Sequence, residues 1–387
     1  MAQNKILKFI FGTEKPLSVI LGTALALGIT LVSIYLSGVL GDFFKSQFNL
    51  SKSLVSMFLL TIIIGILIRN IVKLPAWFQP GIKFCMSKLL RLGIILMGIR
   101  LSIISVAKIG AVAVIVASLC VLLGIVIALF LAKLFGISSR LGGLIAAGTS
   151  ICGVSAIVAT APAIKAKEEE TAYAISVITI FGLIVTVAYP YLVELVFGFN
   201  IAQAGIFIGT AVHETAQVTG AALIYDQMWS PKVISDVAIT TKLVRNTFLM
   251  FVVPLLAMYF AARNKDAFSG ESKGGFLKHF PVFVLGFVAF AIFRSIGDYF
   301  TLGENGMFLA WDASSWEVFW KQVKEMATFL LAIAISAVGL NTELRKLIRL
   351  SFRPFLVGLA ASTAVGIVSF ILVSVLNPFI SSMLQTG

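Results

Sequence analysis

The chain has 387 residues, of which 59% are hydrophobic and only 12% are charged, and its mean hydropathy is +1.04. Soluble domains carry about 25% charged residues, so this composition excludes a soluble globular protein and indicates a polytopic membrane protein. The net charge of +13 does not indicate nucleic-acid binding, because most Lys and Arg residues lie in short connections between apolar runs, where they set membrane orientation. Cys85, Cys120 and Cys152 show no disulfide or metal-binding spacing.

The apolar runs are continuous and reach the length of about 20 residues that a helix needs to cross a bilayer, so they predict helices rather than strands. The longest connection, roughly 298–322, contains Trp311, Trp316 and Trp320, which are typical of an interfacial segment. We predict eleven spans, near residues 17–40, 54–74, 84–105, 110–135, 141–164, 171–198, 203–226, 234–262, 277–297, 323–343 and 354–376.

The basic residues predict the orientation of these spans. With the N-terminus in the cytoplasm, eleven crossings leave the tail after Asn377 outside and most basic connections inside. The exception is the connection with Arg100 and Lys108, which would face outward. The basic residues expected inside are Lys5, Lys8, Lys15, Arg263, Lys265, Lys273, Lys278, Arg345, Lys346, Arg349 and Arg353.

Two segments interrupt their apolar runs with the same rhythm of small and polar residues. They read Gly-Thr-Ser-Ile-Cys-Gly-Val-Ser-Ala at 148–156 and Gly-Thr-Ala-Val-His-Glu-Thr-Ala-Gln at 209–217. Matching glycine-interrupted spans are typical of the substrate site of a secondary transporter with inverted repeats. A weaker similarity relates residues 90–101 to residues 331–341.

These similarities predict a single transmembrane domain over residues 1–387 that contains a duplication. We expect an extra N-terminal helix within residues 1–45, a first repeat over about 54–198 and a second over about 203–376. Each repeat would have about five helices, in inverted arrangement, with helices broken near the middle of the membrane.

The first segment supplies the neutral candidates for a binding site, namely Gly148, Thr149, Ser150, Gly153 and Ser155. One interpretation is close helix packing through small residues, which is common in membranes. The other is a helix break whose freed amides and half-helix N-terminus point at an anion.

The second segment supplies polar and ionisable candidates, namely Thr210, His213, Glu214 and Gln217. Ionisable groups at mid-membrane are costly and usually face a partner or an aqueous cavity. A buried ion pair that joins two helices is one interpretation. A pair that couples transport to protons or gates the substrate is the other.

Lys242 and Arg245 lie deep in the eighth span, with Asn246 beside them. Their i,i+3 spacing places both cations on one helix face. Glu214 could neutralise one of them in a structural pair, but two cations against one carboxylate leave a positive charge. The site is therefore predicted to hold an anion, and Arg offers a fork of donors suited to sulfate, sulfonate, carboxylate or phosphate.

The segments 148–156 and 209–217, with residues 89–101, resemble the YeiH-type family of bacterial inner-membrane proteins, which are labelled sulfate exporters. The resemblance covers almost the whole chain. It implies a multi-helix inner-membrane carrier that is distantly similar to bile-acid/sodium symporters with crossed, broken helices. It also suggests sulfate or a small organosulfonate as the substrate.

These observations together predict an all-α secondary transporter, an exporter of a small anion that works by alternating access and is driven by ion or substrate gradients. The alternatives are a cation/proton antiporter, with Glu214 as the ion ligand, and a non-transporting membrane scaffold or sensor. No enzymatic motif, metal site or cofactor is expected, apart from H⁺ or Na⁺ as a coupling ion. The expected partners are the anion, the lipid bilayer and, as an open question, further copies of the chain, without nucleic acid.

Overall fold

The computed structural model describes residues 16–48, 56–198, 200–229, 233–263, 282–302, 307–308, 311–343 and 352–385. These residues are almost entirely helical, which confirms the predicted all-α membrane fold. The helices are α1 Pro16–Phe48, α2 Met57–Ile71, α3 Gln79–Phe84, α4 Leu90–Met97, α5 Ile103–Leu134, α6 Ser139–Ser150, α7 Val154–Ala163, α8 Glu168–Phe197, α9 Ile201–Ala211, α10 Thr215–Met228, α11 Ser235–Thr247, α12 Leu249–Arg263, α13 Phe283–Leu302, α14 Ala313–Leu340, α15 Phe352–Val375 and α16 Asn377–Gln385. A two-residue hairpin, β1 Met307–Phe308 and β2 Trp311–Asp312, precedes α14.

Among the described residues, seven helical segments are long and apolar enough to cross a membrane: α1, α5, α8, α11 together with α12, α13, α14 and α15. The other four predicted spans fall on shorter elements: α2 has 15 residues, and the remaining three are interrupted helices. The span predicted at 84–105 consists of a π-helix at Cys85–Leu89, α4, and a 3₁₀ turn at Gly98–Arg100. The count of eleven crossings therefore remains a prediction.

The chain divides into two compact units whose segments alternate along the sequence. The units contain the described residues of Met1–Val106, Leu223–Asp236 and Phe283–Leu344 (unit 1) and of Ala107–Ala222, Val237–Val282 and Arg345–Gly387 (unit 2). The boundaries predicted for the two sequence repeats stay a prediction.

Unit 1 is held by close contacts between helix backbones. A Cβ on Gly65 of α2 would lie 2.8 Å from the Ser336 carbonyl oxygen and 3.0 Å from the Gly339 Cα on α14. Gly93 of α4 instead makes room for the side chain of Leu331. Small residues allow this approach, which maximises van der Waals contact between helices in an apolar solvent. The two weakly similar segments, 90–101 and 331–341, therefore pack together through Gly93 and Leu331.

Within the connection predicted at 298–322, residues 298–302 and 313–322 are helical, and the interfacial position of the segment stays a prediction. The Asp312 side chain caps α14 by accepting a hydrogen bond of 2.9 Å from the Ser315 amide, and bonds from Ser315 and Ser314 hold the pKa of Asp312 below its usual value. Trp316 is buried at 2% exposure, and its indole nitrogen donates to Asp298. The hydrogen bond to Asp298 thus satisfies the indole nitrogen and allows Trp316 to be buried.

Arg100, the exception to the charge rule, is partly buried and paired. Its guanidinium lies 3.0 Å from the Asp236 carboxylate and 3.1 Å from the Ser235 hydroxyl, within unit 1. A paired cation is not free to set topology as a loop lysine does. Of the other basic residues used to predict orientation, Lys5, Lys8, Lys15, Lys265, Lys273, Lys278, Arg345, Lys346 and Arg349 lie outside the described residues.

Unit 2 contains the broken helix α6–α7 and a second broken helix formed by α9 and the part of α10 up to Ala222, together with most of α5 and α11 and with α8, α12 and α15. Its hydrophobic core surrounds the first broken helix, where Leu144, Ile145 and Ile157 are fully buried with Val253 and Leu256 of α12. The core thus holds the helix interruption in place from several sides.

Candidate functional site

The first broken helix changes direction at Ile151, Cys152 and Gly153. α6 ends at Ser150, and α7 begins at Val154. Gly153 has φ +65° and ψ −122°, a conformation that residues with a Cβ rarely adopt. The glycine therefore lets the chain leave one helix and start another within three residues.

The second broken helix is interrupted at the equivalent place. Aligning 148–156 with 209–217 pairs the last residue of α6 with Ala211, the last residue of α9, and pairs Val154 with Thr215, where α10 begins. The same alignment pairs Gly153 with Glu214. A Cβ on Gly153 would lie 3.4 Å from the Glu214 Cβ, so the two breaks touch.

Arg245 of α11 holds both breaks through backbone carbonyls. Its Nε donates to the Ser150 oxygen at 2.9 Å, and its Nη2 donates to the Thr149 oxygen at 2.7 Å. Its Nη1 donates to the Thr210 oxygen and to the Val212 oxygen, the latter at 3.3 Å. Thr149 and Thr210 are equivalent positions in the two segments, so one guanidinium caps the C-terminal ends of both first halves.

Lys242 repeats this arrangement one turn earlier on α11. Its Nζ donates to the oxygens of Ile151 and Val212, both at 2.9 Å, and to the His213 oxygen. Ile151 and Val212 are again equivalent positions. Three acceptors require three N–H groups, which only the ammonium form of lysine provides, so the contacts imply a charged Lys242 with no donor left over.

The two buried cations interact with helix ends rather than with the carboxylate. Lys242 and Arg245 are both 0% exposed. The C-terminal end of a helix carries about half a negative charge, which a cation stabilises. Within the described part of the chain, no ion pair within 4 Å joins Glu214 to either cation. The structural pair that the sequence left open is therefore not formed.

The N-terminal ends of the second halves are more open. Ser155 in the first turn of α7 is exposed, and Glu214 and Thr215 at the start of α10 are partly exposed. Gly153 offers no side chain to cap α7. The Asn246 side-chain amide donates to the Thr215 hydroxyl at 3.1 Å, and its Oδ1 is buried without a hydrogen-bond partner among the described residues.

The hydroxyls of Thr149, Ser150 and Thr210, which the sequence predicts as ligand contacts, do not lie on the side where α7 and α10 begin. The Thr149 and Thr210 hydroxyls donate to carbonyls one turn back in their own helices, and Thr210 also bonds Ser369 of α15. The Ser150 hydroxyl is buried beside Gly124 of α5. These residues contribute carbonyl oxygens to the cations, or packing, instead of hydroxyl groups to a ligand.

The remaining predicted residues separate into packing positions and one buried imidazole. Gly148 packs against Ile157 and Ile178, and the Gln217 amide donates to the Thr179 carbonyl on α8. His213 is 1% exposed, and its Nδ1 lacks a hydrogen-bond partner among the residues described here.

Comparison with known proteins identifies a family. A family model described as conserved hypothetical protein 698 matches residues 21–358. A UPF0324 membrane protein of Bacillus anthracis is 31% identical over 84% of this chain and 88% of its own length. A UPF0324 membrane protein of Fusobacterium nucleatum is 32% identical over 82% of this chain and 90% of its own length. A UPF0324 membrane protein of Listeria monocytogenes is 34% identical over 78% of this chain and 82% of its own length. The chain belongs to the UPF0324 family.

This membership confirms the YeiH-type resemblance and a multi-pass membrane protein. The printed names of these UPF0324 relatives state a membrane protein and no substrate. No solved structure shows a significant match.

The candidate site of this UPF0324 protein also includes two kinds of residue that are not among the sequence-predicted candidates. The first is the backbone of Ile151 and Val212, whose carbonyls bind Lys242 and whose side chains carry no polar signal. The second is Thr215, which stands at the start of α10. Its polar hydroxyl, directly after Glu214 in the second polar segment, was the available signal.

Proposed function

We propose that this UPF0324 protein is a secondary transporter, an exporter of a small anion such as sulfate or an organosulfonate. It would work in the bacterial inner membrane by alternating access, driven by ion or substrate gradients, with its N-terminus in the cytoplasm and its C-terminus outside. The binding site would lie at the crossing of the two broken helices in unit 2, on the side where α7 and α10 begin.

The charge at the crossing carries this proposal. The two helix C-termini cancel about one of the two charges on Lys242 and Arg245, and the two N-termini add about one positive charge in return. An ionised Glu214 cancels a further charge, which leaves a net positive site. Both cations are buried and make no ion pair with the only carboxylate in either break, so an anion is the ligand that best balances them.

The direct contacts to the anion would come from the second halves rather than from the cations. The three N–H groups of Lys242 are already used by carbonyl oxygens. The amides that open α7 and α10, with the hydroxyls of Ser155 and Thr215, are the donors on the accessible side. Helix N-termini bind anions through such amides and through the helix dipole. Lys242 and Arg245 would act as fixed charges that hold the two breaks.

A cation/proton antiporter is the second candidate, and one observation favours it. Glu214 is a partly exposed residue with a carboxylate, and the Asn246 Oδ1 is a buried acceptor without a donor among the described residues, on a side chain whose amide bonds the neighbouring Thr215. Oxygen atoms of this kind are ligands for hard cations such as Na⁺. The net positive charge from Lys242 and Arg245 argues against this candidate.

Thermal unfolding of the purified protein in the presence of ligands tests the proposal. Sulfate, organosulfonates, carboxylates and sodium would be compared at constant ionic strength. A ligand of the native state at about 100 times its Kd adds about 2.7 kcal/mol, which raises Tm by several degrees. Stabilisation by an anion supports the proposal, and stabilisation by sodium alone supports the antiporter. No response to any of these ions contradicts both and favours a scaffold.

A further inference from the structure

Glu214 occupies the position that an incoming anion would need. It precedes α10, and its carbonyl accepts the first hydrogen bond of that helix, from the Val218 amide at 2.9 Å. Its Cβ lies beside Gly153, the residue that precedes α7. The side chain therefore starts between two helix N-termini, where negative charge is stabilised.

The ionisable groups around Glu214 are otherwise buried or committed. His213 from the same break is buried, Cys152 of the facing break is 5% exposed, and Lys242 and Arg245 of α11 donate hydrogen bonds to backbone carbonyl oxygens. In the described structure Glu214 makes no side-chain hydrogen bond or ion pair, and it is partly exposed. It is the ionisable group at the crossing that can gain or lose a proton without breaking an internal hydrogen bond.

We propose that Glu214 carries the coupling proton and that proton and anion bind together. This inference rests on the anion site proposed above. An ionised Glu214 and a bound anion would place two like charges against the same pair of helix N-termini, and each disfavours the other. Protonation of the carboxylate oxygen removes that repulsion. One proton then enters from water with each anion and both leave on the opposite side, so the anion's own outward gradient drives export of the pair.

Proton uptake on anion binding tests this directly in the unmodified protein. The anion that gives the largest thermal shift would be titrated into detergent-solubilised protein in weak buffer with a pH indicator. We expect up to one proton to be taken up per anion bound. At pH values above the pH at which Glu214 loses its proton, the apparent affinity for the anion should fall by about tenfold per pH unit, as linkage requires. Anion binding without proton uptake at any pH would overturn the inference.

Two variants assign the proton to its residue. Glu214→Gln, which keeps the shape and removes the charge, should bind the anion tightly at every pH without proton uptake. The matched control Glu169→Gln changes an exposed carboxylate in the first turn of α8 and should behave as the unmodified protein does. If Glu214→Gln retains the proton uptake, or loses anion binding while remaining folded, Glu214 is not the carrier. Failure of every anion to bind the unmodified protein would instead reject the proposed function.

Discussion

The first and second broken helices are interrupted at equivalent positions but carry different side chains there. Cys152 and Gly153 of the first break correspond to His213 and Glu214 of the second. Arg245 and other donors of α11 bind equivalent carbonyls in both breaks, and these bonds do not involve the differing side chains. One break can therefore remain neutral while the other carries the ionisable groups.

The largest effect should follow from Arg245→Met, which removes the donors shared by both breaks. Four hydrogen bonds to carbonyls would be lost. Because each unsatisfied buried polar group costs about 1–3 kcal/mol, we expect a loss of about 3 kcal/mol or more, seen as a low Tm or as aggregation in size-exclusion chromatography. Lys133→Met, an exposed position on α5, is the control. Normal stability with loss of anion binding alone would show that Arg245 serves the ligand and not the helix ends.

The backbone difference between the breaks is tested by Gly153→Ala. Gly153 has a positive φ, and Glu214 does not. Alanine at 153 should destabilise the protein by about 1–3 kcal/mol, the usual cost of such strain, whereas Glu214→Ala should show no comparable strain. Gly28→Ala in α1, where a Cβ meets no atom within 4 Å, should leave Tm unchanged or slightly higher. Equal Tm values for Gly153→Ala and Gly28→Ala would argue against a strained turn.

The hydroxyls at the two N-termini should matter for the anion more than for stability. Ser155→Ala and Thr215→Val should each weaken anion binding by about tenfold or more, since hydrogen bonds to charged groups contribute about 1.5–3 kcal/mol. Thr215→Val should also lower stability by about 1 kcal/mol, because Asn246 loses its acceptor. Ser176→Ala on α8, whose hydroxyl bonds within its own helix, is the control. Unchanged affinity in both variants would move the anion away from these helix ends.

The smallest effect is expected at the caps that begin the two broken helices. Ser138 accepts a hydrogen bond from the Leu141 amide, and Asn200 accepts one from the Gln203 amide. Alanine at either position should cost about 1 kcal/mol without changing anion affinity. Each cap residue also has one side-chain partner, Glu170 for Ser138 and Asn377 for Asn200, so the two variants should have similar Tm values. A much lower Tm for one variant would show that its broken helix depends more on its cap.

Much of the fold could be predicted because its signals are local. The apolar runs predicted helices, and the polar segments at 148–156 and 209–217 contain both interruptions. The sequence did not predict that α14 begins as early as Ala313, because tryptophan residues such as Trp316 are typical of a membrane interface. The burial of Trp316 is explained by its hydrogen bond to Asp298, which is distant in the sequence. Likewise, the pairing of Arg100 with Asp236 joins residues far apart in the chain.

By itself, the sequence determined that this is an all-α membrane protein with two matching interruptions and two cations on one helix face. Local patterns suffice for these features, since hydropathy and helical spacing depend on neighbouring residues. Only the tertiary structure decided that Lys242 and Arg245 bind carbonyls of both breaks and leave Glu214 unpaired. Every residue has a backbone carbonyl, so the sequence does not distinguish the carbonyls that bind a cation. Which carbonyls a buried cation reaches depends on how distant segments pack.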